Sequence, residues 1–365
     1  MLKTANKTGQ VPRAAAGFDV EIVGVATAVP AHKVSQADIS ERAKSVFPHL
    51  NRLEGLYANT GIATRYCCEP ASWYHERHGW EARTASFQHH ALALLEEVTL
   101  KATQAAGIAL ADVGALVVNT ITGLAIPSLD AMLMNRLDLP PSVERLPIFG
   151  LGCGGGVAGL ARATRLAQAK PGAHVLFLTV DLCSLCFRVS DPSRAMFVSA
   201  ALFGDGAAGV VLRNTRAEAS DGAGRGRVLA MGDHFWPNTE YIMGWDIKED
   251  GFGVVLSPEL PGLLRVKLLP ALQGFLDASG MTLGEFSGFL LHPGGAKILN
   301  TVQEVLGLAD SDLVLSREVL RDFGNMSSPT ALFALAKAVE AGARGPHLMV
   351  AFGPGFSAYF LAVEL

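Results

Sequence analysis

The chain has 365 residues, 50% apolar and 18% charged, with 30 Lys and Arg against 34 Asp and Glu for a formal charge of −4. That is enough chain for two or three domains, or one large two-part fold with an ample core, and it excludes a disordered, fibrous or collagen-like protein. Without basic blocks, a near-neutral charge also argues against a nucleic-acid partner.

The first elements follow from local patterns. Residues 1–17 read as an N-terminal arm: Lys3, Lys7 and Arg13 are not followed by the apolar stretch of a signal peptide. Val20 to Ala26 reads as a strand, and Ser35 with Asp38 as a capping pair opening a helix to about Phe47. A long helix is expected from Ser86 to Ala106, then a buried strand from Ala115 to Thr120. Gly154 to Lys170 reads as a helix, and His174 to Val180 as another buried strand. The polar, glycine-rich stretch Asn214 to Gly226 divides the chain into halves 18–226 and 227–365. The uncharged run Gly345 to Val363 is broken by Pro346, Gly353, Pro354 and Gly355, so it reads as two strands around a turn and not as a membrane span. Alternating strands and helices predict a layered α/β fold.

An internal repeat supports the two halves. Ala106 to Val118 can be laid over Ser279 to Leu291, with Gly, Leu, an acidic residue and the apolar strand positions coinciding. At nearly the same offset, Gly152-Cys153 falls over Gly324-Asn325, each before a helix rich in small residues (Gly154 to Lys170 and Met326 to Ala341). His292 then ends a strand whose first-half counterpart ends near Asn119. Strand ends and helix starts are where α/β folds collect ligand sites, so a Cys, a His and an Asn are expected to converge.

Five cysteines at irregular spacing do not read as a disulfide framework and favour a reducing, cytoplasmic setting. Cys153 differs from the other four by its glycine-rich turn, Phe149-Gly-Leu-Gly-Cys-Gly-Gly-Gly156. Glycines expose the sulfur, and a helix start favours thiolate, so Cys153 reads as a nucleophile with a lowered pKa. Cys67, Cys68, Cys183 and Cys186 read as small buried or wall-lining groups. Cys183 and Cys186 lack a second ligand pair, so no metal is expected. His292 is the one His of ten at a strand-His-Pro-Gly-Gly junction, and Asn325 offers an amide to a developing oxyanion beside it. Asp205 in Phe203-Gly-Asp-Gly206 reads as a turn-ordering residue, and no nucleotide-binding glycine motif appears.

Taken in order, Gly-Cys153-Gly-Gly-Gly, Leu202-Phe-Gly-Asp-Gly-Ala-Ala208, His292-Pro-Gly-Gly, Gly324-Asn-Met-Ser-Ser328 and Phe352-Gly-Pro-Gly355 resemble the type III polyketide synthases, the chalcone-synthase-like family, over about residues 20–365. The resemblance implies a thiolase-like, five-layered αβαβα fold of two pseudosymmetric halves. It implies a homodimer, acyl-CoA and malonyl-CoA as substrates, and no bound cofactor. The family's nucleophile, His and Asn fall on Cys153, His292 and Asn325. Its pocket falls on Thr122, Cys183, Cys186, Phe203, Ser327, Gly353 and Pro354, with Val254 or Phe252 at the second gate position. Its basic CoA-binding cluster is thin: Arg52 and Arg65 remain, Gly55 and Asn59 stand at other basic positions, and Lys297 supplies part of the phosphate contact. Met243-Gly-Trp-Asp246 resembles the bacterial branch. Small residues at Thr122, Cys183 and Cys186 point to a medium- or long-chain fatty acyl starter, extended to an alkylpyrone or alkylresorcinol, against a short or aromatic starter. The 3-oxoacyl-carrier-protein synthase III pattern fits less well, since its His-Gln-Ala-Asn and Asn-Gly-Asn-Thr-Ser motifs are absent. A silent acyl-CoA-binding protein of the same fold is the non-enzymatic rival, and the joint presence of Cys, His and Asn argues against it.

Overall fold

The computed structural model describes residues 19–53, 55–215 and 224–365, with only the backbone of 51–53. The N-terminal arm and most of the polar break between the halves lie outside the described residues.

The first half runs β1 (Val20–Ala28), β2 (His32–Ser35), α1 (Gln36–Val46), α2 (Gly55–Ala58), β3 (Thr64–Cys67), α3 (Trp80–Ala106), β4 (Val113–Thr120), α4 (Leu129–Arg136), β5 (Glu144–Phe149), α5 (Gly155–Gln168), β6 (His174–Leu182), α6 (Arg194–Leu202) and β7 (Asp205–Asn214). The second half runs β8 (Gly226–Phe235), β9 (Met243–Lys248), β10 (Gly251–Leu256), α7 (Leu260–Ser279), β11 (Gly288–Leu291), α8 (Ala296–Leu306), α9 (Val314–Phe323), α10 (Pro329–Glu340), β12 (Pro346–Gly353) and β13 (Ser357–Glu364). The two expected strands around a turn at the C-terminus are β12 and β13.

Nine of these strands form one sheet in the order β11-β12-β13-β8-β1-β7-β6-β4-β5, and β2–β3 and β9–β10 form two separate two-stranded sheets. The halves meet where Glu21 of β1 pairs with Arg227 and Ile22 with Gly226. Buried β-branched and leucine runs such as Val175 to Leu178 are what a sheet covered on both faces requires. Between the two parts of the sheet lie α5 and α10, each packed on the other and on strands of both halves. Their alanines, glycines and other small residues let helix and sheet backbones approach closely, and both helices are buried nearly throughout. On the outside, α3 covers β1, β6 and β7, while α7 covers β8 and β13. The result is the expected five-layered, thiolase-like αβαβα arrangement.

The repeat is visible in backbone detail. Gly107 and Gly280 end α3 and α7 in the same left-handed conformation, φ +68° and +69°. Each is followed by a short 3-10 turn whose acidic side chain, Asp112 or Glu285, accepts the backbone N–H of Ala109 or Thr282, and then by β4 or β11. The halves differ at β5, which pairs with β4 at the sheet edge, whereas β11 pairs only with β12 and is itself the edge.

Two helix starts depart from the sequence reading by three residues or more. Helix α3 starts at Trp80, six residues before Ser86, because the polar Arg83 is buried, its Nε donating to His78 O at 3.0 Å and Asp250 O at 2.9 Å. Helix α10 starts at Pro329, not Met326, because Met326–Ser328 form a separate turn with Ser327 at φ +59°.

Candidate active site

The Cys153 turn is built by close approach. Gly152 stands at φ +51°, and a Cβ there would lie 2.4 Å from the Pro354 ring. On Gly154 a Cβ would meet the Tyr359 ring at 2.3 Å, and on Gly156 it would meet Ser328 O at 2.2 Å. The glycines around Cys153 therefore let the second half seat on the nucleophile turn, as well as permitting the turn itself. Cys153 lies in a 3-10 turn, Gly152–Gly154, that runs directly into α5. Gly353 and Pro354 pack against this turn.

The Asn325 turn is built differently. Asn325 does not start a helix: its backbone bridges to Phe203, with Gly204 N donating to Asn325 O and Asn325 N to Leu202 O, both at 2.9 Å. Asn325 Oδ1 accepts Ser327 N at 2.8 Å, which turns its Nδ2 toward the His292 segment, where it donates to Gly294 O at 3.3 Å. Ser328 Oγ donates to Gly152 O at 2.8 Å and ties this turn to the nucleophile turn.

His292 follows β11 and is buried, and neither ring nitrogen has a hydrogen-bond partner among the described residues. Such a group is costly unless the site receives a ligand or changes protonation. Ser327 and Asn325 stand near the Cys153 thiol, and both favour its thiolate. Burial opposes the lowered thiol pKa expected from the helix start. Burial pushes the thiol up to about 11, against the pull of Ser327 and Asn325 and with the help of the nearby Asp181 charge. Burial alone takes His292 down to about 4. Desolvation outweighs the helix-start effect, so both groups are neutral in the free site.

The remaining pocket residues separate. Cys183 and Phe203 line an apolar cleft of about 860 Å³, including its open mouth, between α1, β3, α6 and the segment after β6. Val46, Phe47 and Phe187 form further walls, and Arg42, Glu69 and His75 stand among the polar lining groups. Thr122 is not on this cleft: its Oγ1 accepts Leu182 N at 2.8 Å, and it borders a separate small cavity beside Arg83 and Gly251. Cys186 is buried with its Sγ 3.9 Å from Thr122 O. Val254 packs with Phe187 against the α1–α6 cluster, and Phe252 packs edge-on against Trp80.

The CoA-binding expectations fare unevenly. Arg65 is a buried structural residue: its guanidinium donates to Ala200 O at 2.8 Å, Ala201 O at 2.7 Å and Phe203 O at 3.0 Å, capping the end of α6, and it also bonds Gln36. Burial lowers its pKa to about 10. It is therefore no surface phosphate ligand. Lys297 is exposed in the first turn of α8, and the side chain of Arg52 lies outside the described residues.

Sequence reasoning missed Asp181, which carries no motif glycine beside it, and misassigned Arg65; only their long-range partners reveal their places. Asp205 holds Ser184 N at 2.7 Å, Ser184 Oγ at 2.6 Å and Cys68 N at 2.8 Å, as a turn-ordering residue should.

Comparison with known proteins agrees with this architecture. Residues 7–215 match the chalcone and stilbene synthase N-terminal domain and residues 227–363 its C-terminal domain. The chain is 37% identical over 350 residues to a 1,3,6,8-tetrahydroxynaphthalene synthase of Streptomyces peucetius subsp. caesius, covering 94% of this chain and 92% of the relative. It is 33% identical to a putative chalcone synthase of Bacillus subtilis, covering 93% and 97%. It is 28% identical to the alpha-pyrone synthesis polyketide synthase-like Pks18 of Mycobacterium tuberculosis, covering 95% and 91%. The crystal structure of the Streptomyces coelicolor tetrahydroxynaphthalene synthase superposes with a TM-score of 0.88 at 27% identity, covering 94% of this chain and 99% of that one. The chain thus belongs to the chalcone and stilbene synthase family and is a type III polyketide synthase of the bacterial branch, an acyl-transferring condensing enzyme.

Proposed function

We propose that this enzyme primes Cys153 with a medium- or long-chain fatty acyl group and extends it with malonyl-CoA to an alkylpyrone or alkylresorcinol. The observation that carries the starter is the apolar cleft reaching Cys183 and Phe203. Cys183, which follows β6 and lines this cleft, lies within electrostatic range of Cys153. Each methylene buried there contributes about 0.8 kcal/mol, or about fourfold in affinity.

In the proposed mechanism, the neutral His292 accepts the Cys153 proton as the sulfur attacks the acyl-CoA carbonyl. The carbon–sulfur bond to CoA breaks, and CoA leaves with that proton. Malonyl-CoA then loses CO2 by cleavage of its carboxyl carbon–carbon bond. The electron pair passes to an enolate whose oxygen takes hydrogen bonds from Asn325 Nδ2 and His292. The enolate carbon attacks the Cys153 thioester, forming a carbon–carbon bond and expelling the thiolate. The extended chain, now a CoA thioester, is attacked again by the Cys153 sulfur, and its carbon–sulfur bond to CoA breaks to release CoA before the next round. Decarboxylation itself supplies the carbanion, so the sequence of steps calls on no cofactor. Lys297 and Arg52 are candidate partners for the CoA phosphates.

A second reading is priming by malonyl-CoA itself, favoured by the identity to the tetrahydroxynaphthalene synthase. Measuring kcat/KM across acyl-CoA chain lengths separates the two. Rising efficiency with chain length, lost in Val46→Trp, supports the fatty starter. One product from malonyl-CoA alone, unaffected by added acyl-CoA, overturns it.

The working unit is proposed to be a homodimer. Ile126, between β4 and α4, is 97% exposed, and Phe149 on the edge strand β5 is 52% exposed, apolar surface of the kind a second copy would cover. A monomeric mass by sedimentation at micromolar concentration, with full activity, would rule this out.

A further inference from the structure

The wall of the apolar cleft carries few polar side chains, and their hydrogen bonds can be followed one by one. Asp38, Arg42 and His75 are exposed to solvent. Tyr74 Oη lies 2.7 Å from Ser184 Oγ, which donates to Asp205 Oδ2 at 2.6 Å. Glu69 accepts Ser86 Oγ at 2.6 Å, and Arg65 serves the carbonyls at the end of α6. Arg65 Nε is unpaired, but it has almost no accessible surface. Ser199 stands apart. It lies on α6 one turn before Phe203, and both line the cleft. Its carbonyl accepts Phe203 N at 3.0 Å, so its backbone is used within the helix. The residue is only 6% exposed, yet its Oγ has no hydrogen-bond partner among the described residues. Buried helical hydroxyls elsewhere turn back to the carbonyl four residues earlier: Thr99 to Leu95 O at 2.7 Å, Thr103 to Thr99 O at 2.8 Å and Thr164 to Leu160 O at 2.8 Å. Ser199 does not. An unpaired hydroxyl in an apolar cleft is unfavourable, and an oxygen on the ligand would satisfy it.

We propose that Ser199 is a specificity-determining residue of the starter site, and that the acyl chain it selects carries one oxygen, as a hydroxyl or keto group, part-way along an otherwise apolar chain. A serine hydroxyl donates to a keto oxygen and accepts from a hydroxyl, so the site reads the presence and position of the oxygen and not its oxidation level. The growing polyketide is the other source of such oxygens. It carries a carbonyl at every second carbon, and a wall with one free hydroxyl would leave the others unpaired, which favours the starter as the occupant. This role rests on the cleft holding the starter, as proposed above.

Starter loading is separated from extension by following acylation of Cys153 in the full-length protein by mass spectrometry, without malonyl-CoA. The probes are acyl-CoAs of several lengths, unsubstituted, and at one length a series with a single hydroxyl or keto group at successive positions. In the parent, one position is expected to load about tenfold more efficiently than the unsubstituted chain. In Ser199→Ala that preference should fall to within about twofold, with the unsubstituted chain loading at least as well as in the parent. Ser199→Thr, which keeps the hydroxyl, should retain the preference. A flat positional series in the parent, a preference that survives in Ser199→Ala, or an equal loss for every chain in that variant overturns the assignment. So does a change in the number of extensions with loading unaltered, which would give Ser199 to the growing chain. Should unsubstituted chains load no better in the parent as they lengthen, the fatty-starter reading fails and this role with it. Loading that rises with length beside a flat positional series strikes the role of Ser199 alone.

Discussion

The Cys153 turn and the Asn325 turn occupy corresponding places in a duplicated unit, yet they solve different problems. In the first half, the chain passes straight from the nucleophile into α5, and Gly152, Gly154 and Gly156 mark points where the other half presses in. In the second half, a turn at Met326–Ser328 separates Asn325 from α10, and the Asn325 backbone is bound to Phe203 and Gly204 of the first half. The same supersecondary unit thus presents a sulfur in one copy and an oriented amide in the other. The difference comes from which segment of the opposite half each turn must meet.

The comparison is sharpened most by His292, which belongs to the second half and titrates against its surroundings. Its folded-state pKa is depressed to about 4 from an ordinary 6.5. The unfolded chain therefore takes up the proton first, and stability is lost as pH falls from about 6.5 to about 4, by up to about 3 kcal/mol. Asp181 and Asp205, raised to about 6, work the other way: their contribution is present at low pH and lost as pH rises through about 6. In His292→Gln only the carboxylate trend remains. Its Tm relative to the parent should climb steadily between pH 6.5 and 4. A constant difference would contradict the buried, neutral assignment of His292.

A smaller effect probes the contact between the two turns. Gly156→Ala places a methyl group 2.2 Å from Ser328 O, a backbone atom that cannot swing aside. The expected cost is about 1–3 kcal/mol of stability, measurable by urea unfolding. Gly150→Ala is the control, since nothing lies within 4 Å of its added Cβ and only its positive φ is strained. Equal losses in the two would show that the seating of Ser328 on α5 is not what the glycine protects.

Much of this was legible in the sequence because it is local. The strand-to-helix glycine run around Cys153, the strand-His-Pro-Gly-Gly junction and the repeat around Gly107 and Gly280 all follow from backbone requirements written in neighbouring residues. What escaped is long-range. Arg65 reads as a surface cation until the three carbonyls at the end of α6 are seen around it. Thr122 reads as a pocket wall until its hydroxyl is found accepting Leu182 N. The charge states of Cys153 and His292 depend on desolvation by layers distant in sequence, which outweighs the favourable helix start that the local pattern emphasised.

The central claim is a division of labour: the first half supplies the acylated sulfur and the second half supplies the donors that stabilise the enolate. It is tested most directly by measuring CO2 release from malonyl-CoA alongside product formation in Cys153→Ala and Asn325→Ala. The account predicts that Cys153→Ala makes no condensed product but still releases CO2. Asn325→Ala should lose CO2 release by about 10²–10³, as expected for removal of one oxyanion donor. Retained CO2 release in Asn325→Ala, with its loss in Cys153→Ala, would contradict the account.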